Sequence, residues 1–226
     1  MTRQLALLGF VSLALAGCPS GKSLKTTVPE SELAALSPEE RSLIDNARGD
    51  VDLATQAVNA AKAEVTTAER AYDISKEEVR KAKAGVAISE TNYKSAQEGA
   101  AAGGNADELL AARNGKDRAF SVLNAAKIEQ THQDTVVDLT KAKLAEAEAW
   151  LTHARAKVEL EKARAIARKS GDTSPEAQTK LAGFEEQAAK ANRNHANRRI
   201  TTAKAQKSAD QARDKSEAAR ASIPAG

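Results

Sequence analysis

The chain has 226 residues, of which 41% are hydrophobic, 29% charged and 3% aromatic, with a formal net charge of +3. So few aromatic side chains, beside abundant Ala, Glu, Lys, Leu and Arg, exclude a thick globular core and match the bias of long helices and coiled coils. A single Cys excludes an internal disulfide and a metal–thiolate cluster.

The chain opens with Arg3 and an apolar run from Leu5 to Leu15. That run has the length of a secretory signal core and is too short to span a bilayer as a helix. Leu15, Ala16, Gly17 and Cys18 follow it. These four residues resemble the lipobox of bacterial lipoproteins, a likeness covering about the first 20 residues. The resemblance implies a signal peptide over 1–17, cleavage between Gly17 and Cys18, and acyl chains such as palmitate on Cys18. Lipid alone would then hold the protein to a membrane, since no later segment is apolar enough to cross one. Pro19 stands where, by resemblance to enteric bacteria, Asp would retain a lipoprotein at the inner membrane. The expected address is the outer membrane, facing the periplasm. Residues 18–36, rich in Pro, Ser, Gly and Thr, read as a flexible tether.

Helix 1 is expected over 37–98. Ser37 is placed to cap it, Pro38 suits the first turn and Glu40 completes a capping box. Ile44, Val51, Val58, Val65, Tyr72, Val79, Val86 and Tyr93 then recur at every seventh position. Three residues after each come Ala47, Ala54, Ala61, Ala68, Ser75, Ala82, Ser89 and Ala96. This is an a/d heptad seam whose small d residues let helix axes approach closely. Residues 99–105 form a Gly/Ala-rich turn.

Helix 2 is expected over 106–169, with Asn105 as cap and Glu108 completing a second capping box. Its rows run through Leu109, Leu123, Val137, Leu144, Leu151, Val158 and Ala165, and through Ala112, Ala119, Ala126, Thr140, Ala147 and Ala154. Lys116, Gln130, Gln133 and Glu161 interrupt them, so this seam is looser. Helix 3 is expected over 174–222, capped by Thr173 or Ser174, with thin rows containing Leu181, Phe184, Ala188, Ala191 and His195. Short turns make neighbouring helices antiparallel. The expected fold is all-α: an elongated up-down-up antiparallel coiled-coil bundle of three long helices, with 37–222 one domain and a hairpin carrying a loose helix 3 as the alternative. At 1.5 Å per residue, about 60 helical residues give a rod of roughly 90 Å.

Candidate chemistry is sparse. His132, His153 and His195 are spread along the rod. Antiparallel pairing would bring His153 and His195 within a turn of each other, too few ligands for a metal. Without a phosphate loop, nucleophile elbow or cofactor fingerprint, the chain reads as non-enzymatic, with no metal and no cofactor beyond lipid on Cys18. Tyr72, Tyr93 and Phe184 fall in seam rows, while Trp150 and Phe120 sit beside them. Lys190, Arg193, Arg198, Arg199, Lys204 and Lys207 form a basic run with no acid between Glu186 and Asp210. Its first reading is internal pairing with Asp50, Asp52, Glu64 and Glu69 of helix 1 and Asp138, Glu146 and Glu148 of helix 2. The alternative is contact with an anionic envelope surface. Nucleic acid is not expected without interleaved aromatics.

The function expected is a lipid-anchored periplasmic rod acting as spacer, scaffold or adaptor. Its partners would be the membrane through acyl chains, an envelope protein or the peptidoglycan surface, and an oligomer is compatible with the pattern. The lipidated Cys followed by Ala-rich heptads is similar in part to murein lipoprotein, but the chain ends Ile223-Pro224-Ala225-Gly226 rather than in the Lys that joins that family to peptidoglycan. The helix 1–2 pair loosely resembles the hairpins of efflux adaptors, which makes a transport or secretion subunit the alternative.

Overall fold

The structure, a computed structural model, describes residues 27–34 and 36–224. The signal sequence and lipobox, with Gly17 and Cys18, lie outside these residues. The described chain is helical and, among those residues, without strands: a 3-10 turn at Glu30–Leu33, then α1 (Pro38–Ala101), α2 (Ala106–Ser170) and α3 (Pro175–Ala221). No helix among the described residues is long and apolar enough to cross a membrane.

The helix starts follow from their caps. Ser37 Oγ accepts from the Glu40 N–H at 3.2 Å while the Ser37 N–H donates to Glu40 Oε2 at 3.0 Å, closing the capping box. Asn105 caps α2 differently from expectation, its Oδ1 accepting from the Asp107 N–H at 2.9 Å with no reciprocal bond from Glu108. Of the two candidates for α3 it is Ser174 that caps, accepting from the Ala177 N–H at 3.2 Å. The α1–α2 turn is tight enough to specify glycine. Gly103 has φ 90°, and a Cβ on Gly104 would stand 2.7 Å from the Gly99 carbonyl oxygen. Gly171 ends α2 in the left-handed conformation, φ 60°.

The heptad rows of α1 form one continuous packed face. Ile44, Val58, Val79 and Val86 of the first row, and Ala47, Ala54, Ala61, Ala68 and Ser75 of the second, are buried, and the remaining members are half-buried. Ala54, Val58 and Ala61 pack on Ala147, Leu151 and Ala154 of α2, with Trp150 half-buried at the edge of this cluster. Polar pairs bind the same two helices: Asp50 to Lys157 at 2.8 Å, Glu64 to Lys143 at 3.3 Å and Glu69 to Lys141 at 3.3 Å. Residue numbers fall along α2 as they rise along α1.

The looseness of the α2 rows has a structural cause: α2 serves two neighbours. Besides the face toward α1, it buries Ala125, Leu139, Ala149, Ala156 and Leu160. Ala156 and Leu160 pack on Phe184, Ala188 and Ala191 of α3, where Phe184 is 1% exposed. The α2–α3 pairs again run in opposite numerical order: Arg164 to Glu185 at 3.1 Å, Thr202 Oγ1 to the Ala142 carbonyl at 3.3 Å, and Ser216 to Glu129. Among the described residues no Cα of α1 comes within 8 Å of α3. The outer helices therefore flank α2 instead of closing a three-helix bundle.

Residues 27–34 and Leu36 depart from the flexible tether expected of 18–36. Val28 inserts into the α2–α3 cluster, while Leu36 packs with Ile44 and Ala165 between α1 and α2. The Val28 N–H donates to Glu159 Oε2 at 2.6 Å. Glu30 bonds Lys162 at 2.6 Å and Arg48 at 3.0 Å. Apolar anchors and a shared ion pair thus strap this segment across the end of the helices.

Candidate functional site

Four cations of the basic run, Lys190, Arg193, Lys204 and Lys207, lie along α3 on the side away from α2. Arg193, Asn197, Ile200, Lys204 and Lys207 recur at steps of four and three residues, so they and Lys190 share one helical face. Arg198, one heptad after Ala191, and Arg199, four residues after His195, border the α2-facing side instead. Every one of these side chains is exposed. The internal pairing expected for the run does not form, since none of the cations has a described carboxylate oxygen within 4.0 Å. The reason is geometric. Asp50, Glu64 and Glu69 are taken by lysines of α2, and α1 is held away from α3 by the thickness of that helix.

Two buried polar clusters on α2 were not legible as sites. Glu129 is buried and accepts from Ser216 Oγ, from Gln133 Nε2 at 2.7 Å and from Arg220 Nη2 at 3.0 Å. His132 Nδ1 stands 3.5 Å from the same carboxylate. Burial pushes the Glu129 carboxyl up, but the donors Ser216 and Gln133, with the charges of Arg220 and His132, outweigh it and hold the group below its ordinary 4.5. In the second cluster Lys162, its side chain 7% exposed, donates to Glu159 at 3.0 Å and to Glu30 at 2.6 Å. Burial pulls this ammonium down, and hydrogen bonds to the two carboxylates reverse the effect, leaving it raised. Glu30 is held low, chiefly by its bond to Lys162. Each carboxylate accepts from at least two donors on other turns or elements, an arrangement that fixes helix register. The available signal was a charged residue, Glu129 or Lys162, set among apolar positions of the second α2 face.

His153 and His195 do come together, their rings stacked with centroids 6.3 Å apart. Burial, with His195 and Lys157 beside it, holds the His153 imidazole below its ordinary 6.5 against the opposing pull of Asp50. His132 lies apart in the Glu129 cluster. Among the described residues no three of His, Cys, Asp and Glu converge in a metal-binding group.

Tyr72 and Tyr93 are half-buried in the α1 seam, and each carries a cation on its ring: Lys76 at 4.2 Å and Lys116 at 4.1 Å. Lys116, an interruption in the α2 row, thereby becomes a cross-helix contact worth roughly 0.5–1 kcal/mol. Phe120 is exposed. Where α3 ends, a groove of about 600 Å³ opens between α1 and α2, floored by Ala82, Gly85, Ala119, Val122 and Ala126 and bounded by Ile223.

Compared with family models, curated proteins and solved structures, the chain finds no match.

Proposed function

We propose that the chain is a lipid-anchored, non-enzymatic periplasmic rod, an antiparallel up-down-up coiled coil serving as spacer, scaffold or adaptor in the cell envelope. The observation that carries the reading is the α1 seam, whose sixteen heptad positions are each buried or half-buried over nearly the whole helix. Two short turns and the opposed numbering of the α1–α2 and α2–α3 pairs support the antiparallel order. At 1.5 Å per residue, helices of 64 and 65 residues extend for roughly 95–100 Å. Such a shape offers a long surface and fixed reach. The anchor rests on the lipobox resemblance of Leu15, Ala16, Gly17 and Cys18. Outer-membrane placement rests on Pro19.

The test is metabolic labelling with a palmitate analogue followed by membrane fractionation. The chain should carry label and fractionate with the outer membrane, and Cys18→Ser should lose both. Label on the Cys18→Ser chain, or a wild-type chain without label, would contradict the reading.

A second reading, a hairpin subunit of a transport or secretion assembly, is favoured by the groove beyond α3. Val122 is exposed in its lining, and Ile88, Leu110 and Phe120 are exposed elsewhere on α1 and α2. In-cell crosslinking from residues 99–105 separates the two: capture of a helical-hairpin protein supports the subunit, and capture of peptidoglycan the spacer.

A further inference from the structure

We propose that the outer flank of α3 is a docking surface for an anionic phospholipid bilayer. The inference goes beyond a spacer role and does not depend on lipid at Cys18.

Three observations converge on it. Lys190, Arg193, Lys204 and Lys207 lie on one exposed face, opposite the Phe184, Ala188 and Ala191 face that packs on α2. Over 17 residues that stripe is straight and roughly 26 Å long. None of its cations has a described carboxylate oxygen within 4.0 Å, and the acidic helix α1 stands on the far side of α2. In the middle of the stripe Ile200, a large apolar side chain among the cations, is 56% exposed.

A flat, phosphate-bearing surface suits this arrangement. A plane touches every cation of a straight stripe together, whereas a single small anion would meet one or two. Lys and Arg stems are long enough to lie along the surface with their charges among headgroups, and an exposed Ile can enter the acyl boundary between them. Each basic residue near an anionic membrane adds a comparable increment of attraction, and the sum falls with salt. Asn197 and Thr201 beside the stripe are short enough not to hold the surface away. Docked so, the chain lies along the bilayer on α3 and leaves α1 facing outward.

The test is vesicle co-sedimentation of the full chain carrying Cys18→Ser, so that no acyl group contributes. Vesicles of phosphatidylcholine alone and of phosphatidylcholine with phosphatidylglycerol are compared at about 0.1 M and about 1 M salt, where the screening length is about 10 Å and 3 Å. Binding to anionic vesicles should exceed binding to neutral ones by roughly tenfold or more at low salt and collapse at high salt. Lys190→Glu, Arg193→Glu, Lys204→Glu and Lys207→Glu together should abolish the preference with helicity unchanged by circular dichroism. The corresponding four Gln substitutions, which keep neutral helix formers, should weaken it less. Lys62→Glu, Lys83→Glu and Lys94→Glu on α1 should leave it intact. Equal binding to both vesicles, or equal loss in the α1 variant, would overturn the proposal. So would pelleting with peptidoglycan sacculi but not with anionic vesicles.

Discussion

Ser216 on α3 donates its hydroxyl to the carboxylate of Glu129 on α2, and Arg220, four residues further on, reaches the same carboxylate at 3.0 Å. This cluster ties down the end of α3 where few apolar side chains do so. Glu129→Ala strands the buried hydroxyl of Ser216 and the half-buried amide of Gln133, and should cost about 1–3 kcal/mol by urea denaturation. Amide exchange should quicken over the last third of α3 and stay unchanged in the first half of α1. Ser216→Ala, which leaves the carboxylate its other donors, should cost less. Equal protection along α3 in the Glu129 variant would refute the tie.

The same carboxylate gives an acid dependence. Its folded pKa lies below the ordinary 4.5, so its stabilising contribution is complete above that value and is lost as pH falls through the depressed one. Glu129→Gln should flatten the loss of thermal stability in this acid window.

His153 acts at higher pH and in the same direction. Its imidazole is held below 6.5 by burial and by His195, so the unfolded chain binds more protons as pH drops through that value. Stability should therefore fall below about pH 6.5, and His153→Gln should make the thermal midpoint flatter between about pH 7 and pH 5. Histidine NMR titration checks the cause: His195→Gln should move the His153 midpoint upward.

Lys162 tests the strap. Removing its ammonium leaves the buried Glu159 carboxylate without its cation, while Glu30 keeps Arg48, and Lys162→Ala should cost about 3 kcal/mol or more. Limited proteolysis should cut within 27–36 in that variant before it cuts any helix. Protection equal to wild type would show that Val28 and Leu36 suffice to hold the segment.

The α1–α2 turn offers a paired contrast. Gly104→Ala sets a Cβ 2.7 Å from a backbone carbonyl and should destabilise measurably by thermal denaturation. Gly99, with open space around it in the last turns of α1, should accept Ala with a gain of about 0.5–1 kcal/mol. Equal responses at the two glycines would contradict the turn geometry.

How legible the fold was depends on how many neighbours each helix has. α1 has one, so one strict heptad seam sufficed, and the rows from Ile44 to Tyr93 and from Ala47 to Ala96 read as the packed face directly. α2 has two, and a second set including Leu139, Ala156 and Leu160 blurs the first. Lys116 looked like a defect because its partner, the Tyr93 ring, belongs to another helix. The strap was misread because Val28, Leu33 and Leu36 sit among Pro, Ser and Thr, too sparse to show periodicity. Of the candidate sites, the basic run was legible as an anomaly, but its lack of partners was not. That depends on α1 and α3 taking opposite sides of α2.

The most direct test of the elongated rod is small-angle scattering of the unlipidated chain. A rod of roughly 95–100 Å has a radius of gyration near 28 Å, whereas a compact globule of this length would give about 17 Å. A value close to 28 Å with a maximum dimension near 100 Å is the predicted result. A value close to 17 Å would contradict the account.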